Sequence, residues 1–466
     1  MDRPNILLIM SDEHDPAVTG CYGDRLVHTP HLDGLAAEGV TFDACCTNSP
    51  LCVPARLSFT AGQYISRVSA WNNGCRLPAP EYPSLPRVLA AAGYDPVLIG
   101  KQHYTAGWDY GFRVVGPQNH IDRVPKSDGR GGRRAPDDQN VHEKSWAARS
   151  AQFQVGDHSE VLDHDRVVTG HSADFLRRRR RQEGPFFLFA GYIAPHFPLT
   201  VPEAFAAPYR GQAPRADVTQ AKLATLPLNY QHLRRGFGNV HADRQVEQIG
   251  RDLYWGLTHW FDDQVGQVLD ALKQSDVADN TIVIYTADHG ENKGDHGLWW
   301  KNCMYEHAAR VPLIVHWPKR WSGGQRRGGA CSLVDVVQTV ADLAGGRTPE
   351  DWDGDSLTPL LDRADHAWKD LAVSEYYGHN IASGFAMLRQ GAWKYVYHTT
   401  MGPGFGPQRE LYDLTADAGE WTNLAAAPQQ AGRVAQMHQS LVNELGADPE
   451  ETELRCRHEL ARGYED

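Results

Sequence analysis

The sequence lacks any apolar run long enough to cross a membrane. A membrane-spanning helix needs about 20 consecutive apolar residues, whereas the apolar runs here have the length of single strands. The sequence also lacks an excess of positive charge, because 46 Lys and Arg residues oppose 58 Asp and Glu residues and leave a formal net charge of −12. Such a chain has no general attraction to nucleic acids or anionic membranes. We therefore expect neither as a partner.

Paired cysteines are missing as well. The eight cysteines are scattered without a Cys-x-x-Cys pair, which fits neither a structural zinc site nor a disulfide framework. The N-terminal segment has no basic stretch before its apolar residues and no small-residue cleavage site, as a secretory signal would have. We expect mostly buried, reduced thiols and a cytoplasmic protein.

What the sequence does contain is an alternation of short apolar runs with helical patterns. Short apolar runs without strict apolar–polar alternation are typical of buried parallel strands. The alternation predicts an α/β fold with a mostly parallel central sheet and helices on both faces. The predicted strands are 5–10, 95–100, 185–191, 281–286 and 312–317, and the predicted helices are 31–38, 84–92, 165–182, 248–274 and 334–343.

The length of 466 residues and a change of pattern after residue 354 suggest two units. We predict a catalytic α/β domain over 1–353 and a smaller C-terminal α+β subdomain over 354–466. In the latter, 384–400 is typical of two strands around a turn and 429–444 of a helix. The segments 117–160 and 203–244 are rich in Gly, Pro, Arg, Asp and His without periodicity, and we expect long loops at the surface or the active-site rim.

Two predicted strands run into acidic residues. Asp12 follows the strand NILLIM after one residue, and the pair Asp288-His289 follows TIVIYT in the same way. Ligands of a parallel sheet gather at the carboxyl ends of its strands. Either aspartate alone is more simply a turn or helix cap. Together with His289, the two can converge on one divalent cation.

A third group surrounds Cys52 in the segment NSPLCVPARLSFTAG. Pro54 fixes the backbone, and Arg56 in the first turn of the following helix can point back at the cysteine and neutralise an anion bound there. A thiolate nucleophile of low pKa and an ordinary core cysteine are both compatible with this motif alone.

Six motifs occur in the order found in the sulfatase family of the alkaline phosphatase superfamily, which this sequence resembles. The most specific is C-x-P-x-R, which in that family marks a cysteine that a maturation enzyme oxidises to formylglycine. The motifs are Asp12, Cys52-Val53-Pro54-Ala55-Arg56, Gly100-Lys101-Gln102-His103, Ala194-Pro195-His196-Phe197-Pro198, Asp288-His289-Gly290 and Gly297-Leu298-Trp299-Trp300-Lys301. The resemblance implies an alkaline-phosphatase-like sandwich with a smaller C-terminal subdomain.

The resemblance also implies the reaction, which is hydrolysis of a small-molecule sulfate ester to an alcohol and inorganic sulfate. Formylglycine made from Cys52 hydrates to a gem-diol; one hydroxyl attacks sulfur and the other helps to expel sulfate by collapse to the aldehyde. The resemblance further implies a single bound divalent metal, either calcium or manganese. The imidazole of His289 makes manganese at least as suitable as calcium. The implied metal ligands are Asp12, Glu13, modified Cys52, Asp288 and His289.

Further roles carry over from the same resemblance. Arg56 would hold the nucleophile, and Lys101 and Lys301 would neutralise sulfate oxygens in the transition state. His196 would protonate the leaving group while His103 contacts the nucleophile, although the reverse assignment stays open. Candidates for substrate binding are Asn73, Tyr104 and Thr105 around the sulfate and Glu375 in a pocket segment that suits a cationic substrate.

The sequence is compatible with three functions. The favoured one is a formylglycine sulfatase from the branch that contains choline sulfatases and phosphonate monoester hydrolases. The second is a phosphonate or phosphate mono- or diesterase on the same scaffold, and the third is a metal-stabilised binding protein without catalysis. The expected partners are the ester, the formylglycine-generating maturation enzyme and, as an open option, further copies of the chain. Choline, aryl and sugar sulfates all remain open as substrates.

Overall fold

A computed structural model describes residues 3–121 and 132–462. Residues 122–131 of the segment 117–160, for which we expected a loop, lie outside the described residues. The strands are β1 Asn5–Asp12, β2 Val40–Phe42, β3 Cys45–Cys46, β4 Asp95–Thr105, β5 Arg113–Ile121, β6 Gln154–Val155, β7 Phe186–Pro195, β8 Thr200–Val201, β9 Thr281–Ala287, β10 Leu313–His316, β11 Gln325–Arg327, β12 Cys331–Ser332, β13 Leu371–Tyr376, β14 Phe385–Gln390, β15 Trp393–His398 and β16 Gln408–Asp413.

Helices connect these strands and cover the main sheet. They are α1 Pro30–Glu38, α2 Cys52–Ala61, α3 Leu85–Ala91, α4 Glu143–Ser150, α5 Glu160–Arg178, α6 Glu203–Ala206, α7 Gln220–Ala224, α8 Leu228–Gly236, α9 Arg244–Lys273, α10 Glu306–Ala309, α11 Leu333–Leu343, α12 Thr358–Asp362, α13 Ala431–Leu445 and α14 Pro449–Arg462. Among the described residues, no helix is both long enough and apolar enough to span a lipid bilayer.

The central sheet has eight strands in the order β11-β2-β10-β9-β1-β7-β4-β5. The strands β9, β1, β7, β4 and β5 are mutually parallel, which confirms the predicted α/β fold. The expectation that 312–317 is a parallel strand is wrong, because β10 runs antiparallel to β9 and β2. Its first residue, Leu313, pairs with Thr286 near the end of β9. The chain therefore stays at the carboxyl end of β9 and re-enters the sheet from there.

Both faces of β1 are buried, which explains its continuous apolar run. Leu7 and Ile9 face the core under α5 and α9. Ile6, Leu8 and Met10 face a second core, whose cover consists of α2, α3 and α11. The sheet is thus the middle layer of a sandwich, and α2 lies across the face that bears the second core.

A separate antiparallel sheet, in the order β13-β14-β15-β16, forms near the C-terminus and packs against α13. The predicted strand pair over 384–400 and the predicted helix over 429–444 are confirmed by β14, β15 and α13. The division of the chain into domains at residue 354 stays a prediction.

The two segments expected to be long loops contain short helices, so that expectation is wrong in part. The described residues of 117–160 include the end of β5, α4 and β6, while 203–244 includes α6, α7 and α8. Helices of four to nine residues complete too few turns to show a periodic apolar pattern. All eight cysteines are free and seven are buried, as expected.

Candidate active site

Cys52 is the first residue of α2, and its side chain lies at the carboxyl ends of β1 and β9. Its Sγ atom is 3.7 Å from Oδ1 of Asp12 and 3.2 Å from Nε2 of His289. Asn73 accepts a hydrogen bond from the backbone N–H of Val53 at 3.2 Å, which satisfies one of the free donors in the first turn of α2. The start of α2 therefore holds the cysteine against a carboxylate and an imidazole.

The predicted metal ligands lie together. Asp12, Cys52, Asp288 and His289 are buried, and each offers one donor atom within 4.8 Å of the others. Glu13 belongs to an overlapping group with Asp12, and its buried Oε1 atom has no hydrogen-bond partner among the described residues. Carboxylate oxygens and an imidazole suit a hard or borderline divalent cation. Both the chemistry of the donors and the unsatisfied carboxylate oxygen fit such an ion.

Two cations bind the aspartates of this group. The Arg56 guanidinium bridges them, with Nε 2.8 Å from Oδ2 of Asp288 and Nη2 3.0 Å from Oδ2 of Asp12. The Nζ atom of Lys101 is 2.7 Å from the same oxygen of Asp12. Burial by itself raises the pKa of Asp12, but Lys101 and the other nearby cations hold this pKa well below its usual range. Asp12 is thus an anion inside the protein.

A second set of contacts surrounds Glu13. Its Oε2 atom is 3.0 Å from Nε2 of His196 and 3.0 Å from Nζ of Lys301. Its backbone has a φ of 65°, and the Tyr254 hydroxyl donates a hydrogen bond to its carbonyl oxygen at 2.6 Å. Burial raises the pKa of Glu13, although Lys301 opposes the shift. Burial, followed by the charge of Lys301, lowers the pKa of His196.

The thiol of Cys52 is unsuited to act as a thiolate. Burial, followed by the charge of Asp12, raises its pKa to about 12, so these protein surroundings keep the thiol protonated near neutral pH. His103 lies near the same charged groups, and burial together with the charge of Lys101 lowers its pKa. Within residues 3–121 and 132–462, its buried Nδ1 atom has no hydrogen-bond partner. Burial and the charge of Asp12 therefore oppose ionisation of the Cys52 thiol.

Three predicted substrate-binding residues do not contact this group in the described part of the chain. The Tyr104 hydroxyl is 2.6 Å from that of Thr60, toward the C-terminal half of α2. Thr105 ends β4 and is half-buried. The Glu375 carboxylate accepts a hydrogen bond from the backbone N–H of Ser66 at 3.2 Å. Of the four candidates for substrate binding, Asn73 is thus the one beside Cys52.

The sequence reasoning missed Glu291. This residue adds to the raised pKa of Glu13, and its Oε1 atom accepts backbone hydrogen bonds from Lys293 and Trp300 at 2.8 and 2.6 Å. It therefore fixes the segment that leads to Lys301. Its position three residues after Asp288, within an acidic and basic run, is the signal by which the sequence could have revealed it.

Comparisons with known families agree with this geometry. The family model described as "Sulfatase" matches residues 4–346. A second model, described as "N-sulphoglucosamine sulphohydrolase, C-terminal", matches residues 294–446. The first match alone covers most of the chain and every residue of the buried cluster described above.

Individual relatives are similar over most of their length. Arylsulfatase K of Canis lupus familiaris is 28% identical over 471 residues, which cover 94% of this chain and 82% of the relative. Choline-sulfatase of Rhizobium meliloti is 29% identical over 447 residues, which cover 92% and 83%. Among solved structures, the phosphonate monoester hydrolase of Agrobacterium radiobacter superimposes with a TM-score of 0.77 at 22% identity and covers 95% of this chain and 96% of its own.

Proposed function

This chain belongs to the sulfatase family of sulfate ester hydrolases, and we propose that it works through a formylglycine formed from Cys52 beside one divalent cation. The observation that carries the proposal is the position of the Cys52 side chain. It starts α2, contacts Asp12 and His289, and lies within a cluster that also contains the side chains of Arg56 and Lys101.

The cation site consists of this chain's own buried donors. We assign Asp12, Glu13, the modified Cys52, Asp288 and His289 as the ligands of calcium or manganese. When bound, the cation supplies positive charge that makes a hydroxyl nucleophile more acidic, and formylglycine supplies that hydroxyl. The imidazole of His289 suits manganese at least as well as calcium.

Three cations of the chain prepare the site for the transferred sulfate. Arg56 is fixed between two aspartates, so it holds the nucleophile in place at no further cost in side-chain entropy. Lys101 and Lys301 are held by Asp12 and by Glu13, at 2.7 and 3.0 Å. Their ammonium groups neutralise sulfate oxygens as negative charge develops in the transition state.

His196 is our choice for the acid that protonates the leaving alkoxide or phenoxide. Its side chain is 16% exposed, whereas those of Asp12 and Glu13 beside it are fully buried. The leaving group has to depart toward solvent, so a partly open imidazole is the better proton donor. We assign His103 to the nucleophile side; its buried Nδ1 atom has no partner in the part of the chain that the structure describes.

The test is the mass of the tryptic peptide 26–56, taken from protein made in the presence of the maturation enzyme and alkylated on its free thiols. The proposal expects an aldehyde at Cys52. It also expects alkylated thiols at Cys45 and Cys46, which are the internal controls in the same peptide. Three alkylated thiols in protein from the native host would contradict the proposal.

A phosphonate monoester or a phosphate diester is the second candidate substrate. Such an ester carries one negative charge on the transferred group, as a sulfate ester does, and Arg56, Lys101 and Lys301 would balance that charge equally well. Values of kcat/KM for matched aryl sulfate and aryl phosphonate esters separate the two candidates. A sulfatase hydrolyses the sulfate at the higher kcat/KM.

A further inference from the structure

Arg149 in α4 is held against three aromatic rings. Its guanidinium carbon lies 4.2 Å from the ring centre of Trp300, 5.0 Å from that of Phe197 and 5.1 Å from that of Phe237. A guanidinium over aromatic faces is favourable because the ring quadrupole attracts the cation. Three rings around a single arginine fix its position much more firmly than one ring would.

These rings border the candidate active site. The Phe197 ring also stacks on the ring of His196, with 4.8 Å between the ring centres, so a single aromatic ring separates Arg149 from the proposed acid. Trp300 directly precedes Lys301, and its backbone is held by Glu291 at 2.6 Å. Arg149 thus lies beside the aromatic ring that packs on the proposed acid.

The same contacts join the two segments for which we expected long loops at the surface or the active-site rim. Arg149 belongs to 117–160 and Phe237 to 203–244, whereas Phe197 and Trp300 lie within the matching motifs. The backbone N–H of His142 also donates to the carbonyl oxygen of Arg235 at 3.0 Å, so the two segments are in direct contact here. The two segments expected at the active-site rim therefore meet beside the candidate site, and loops at such a rim commonly contact the substrate.

We propose that Arg149 is a specificity-determining residue that receives an anionic group on the alcohol portion of the ester, so that the preferred substrates carry a carboxylate or a second sulfate. This inference rests on the proposed sulfate-ester hydrolysis. A guanidinium forms strong bidentate hydrogen bonds to carboxylates and sulfates. The aromatic rings orient it for this task.

The arrangement also argues against a quaternary ammonium substrate. Such a cation binds to aromatic faces, but here the chain's own guanidinium already covers the faces of Phe197, Phe237 and Trp300. Glu375, the acid expected to face a cationic substrate, is fully buried and bound to Ser66. Choline sulfate is therefore expected to be a poor substrate.

The test compares three esters: 4-carboxyphenyl sulfate, its uncharged analogue 4-carbamoylphenyl sulfate, and choline sulfate. The wild-type protein should prefer the carboxylate over the carbamoyl ester about 10- to 100-fold in kcat/KM, as expected for one charge-assisted hydrogen bond. Arg149→Met should bring this ratio close to one. Arg149→Lys keeps the charge without the planar fork and should retain part of the ratio.

Arg433→Met is the matched control. Arg433 covers the ring of Trp393 at 3.8 Å on the C-terminal sheet, so this variant also removes an arginine from an aromatic face, and it should leave the ratio at the wild-type value. Equal losses on the two aryl esters in Arg149→Met would mean that Arg149 only fixes α4, and would overturn the inference. A wild-type preference for choline sulfate would overturn it as well.

Equilibrium binding keeps this test separate from the proposed function. In the Cys52→Ala background, calorimetry measures the binding of the same two aryl esters without turnover. Addition of Arg149→Met should weaken binding of the carboxylate ester about 10- to 100-fold more than that of the carbamoyl ester. If the wild-type protein hydrolysed no sulfate ester, the proposed function would fail, and this binding ratio would still decide the role of Arg149.

Discussion

At the residue scale, the buried carboxyl groups of Asp12 and Glu375 differ in how well nearby cations balance their charge. Asp12 is buried beside Lys101, Arg56 and two histidines, and its pKa is low. Glu375 is equally buried, and burial raises its pKa to about 7. The charge of Asp353 raises this pKa as well, against the charge of Arg455, which lowers it. A carboxyl with a raised pKa in the folded state makes the protein less stable as pH rises.

Glu375→Gln should therefore stabilise the protein in alkaline but not in acidic solution. The unfolded chain releases the proton of Glu375 near pH 4.5 and the folded chain near pH 7, so stability from this group is complete below pH 4.5 and is lost as pH rises to 7. We expect the gain in free energy of unfolding over wild type to grow by about 2–3 kcal/mol between pH 5 and pH 8.

Urea unfolding of both proteins at pH 5 and pH 8 measures this difference. Glu451→Gln on the exposed side of α14 is the control, and its difference from wild type should not change with pH. A pH-independent effect of Glu375→Gln would show that the folded protein does not hold Glu375 in its protonated form.

The sequence could predict the central side chains of the site but not all of their neighbours. Asp12 ends β1, Asp288 directly follows β9 and Cys52 begins α2, so their positions follow from the order of strands and helices. Tyr104 and Glu375 lie within strands, and their directions depend on packing between distant elements: Tyr104 packs edge-on against Tyr110, and the Glu375 carboxylate binds Ser66. Their assignment to substrate binding rested on the family resemblance and stays a prediction.

At the scale of elements, α2 is the support on which the site depends. Its first turn carries Cys52 and Arg56, and it ends at Gly62, whose φ of 68° lies in the left-handed region. A Cβ atom at Gly62 would lie 2.4 Å from the Trp352 ring. Gly446 ends α13 with nearly the same φ, 69°, but a Cβ atom there would meet only Arg67, at 3.5 Å.

Replacement of each of these two glycines by alanine should lower the stability of the protein by a different amount. Gly446→Ala should lower the free energy of unfolding by about 1–2 kcal/mol, which is the penalty of the left-handed conformation. Gly62→Ala carries the same penalty plus about 1–3 kcal/mol for the clash with Trp352. It should also lower sulfate-ester hydrolysis, because a shift of α2 moves Cys52 relative to Asp12.

Equilibrium denaturation of the two variants gives these costs directly. Equal destabilisation by the two substitutions would mean that Trp352 moves aside without penalty. Activity assays on folded Gly62→Ala protein then show whether α2 has shifted.

Elements were predictable where their patterns were long. The 30-residue α9 and the buried β1, β7 and β9 follow from periodicity and apolar runs. The direction of β10 was not predictable, because an apolar run carries no sign of its orientation and only the connection across 288–312 determines it. The short helix α4, which carries Arg149, gives no periodic signal.

At the scale of the whole molecule, residues near the C-terminus pack against the segment around the end of the candidate site. The ring of His296 stacks between those of Tyr305 and Trp421, with centre distances of 3.6 and 4.1 Å. Lys394 in β15 is fully buried, and its Nζ atom is 2.7 Å from Glu306 in α10 and 2.7 Å from Glu420. Burial lowers the pKa of Lys394, but these two carboxylates raise it more.

This ion cluster joins the two predicted domains, so its loss should destabilise both of them. Lys394→Met leaves the buried Glu420 short of its cation, while Glu306 keeps Arg389 at 2.7 Å, and the variant should lower the free energy of unfolding by about 3–5 kcal/mol. Sulfate-ester hydrolysis should fall as well, because α10 follows Lys301 within a few residues. The additional change Glu420→Gln removes the carboxylate that Lys394→Met leaves uncompensated, so the double variant should regain part of the loss.

Urea unfolding of the wild type, both single variants and the double variant forms a thermodynamic cycle that isolates the interaction between Lys394 and Glu420. We expect one cooperative transition, since a buried charge cluster between the two units couples their unfolding. Two separate transitions in the wild type, or a double variant less stable than Lys394→Met, would contradict this expectation. In that case the C-terminal sheet would fold independently, and the site would owe its stability to the sandwich alone.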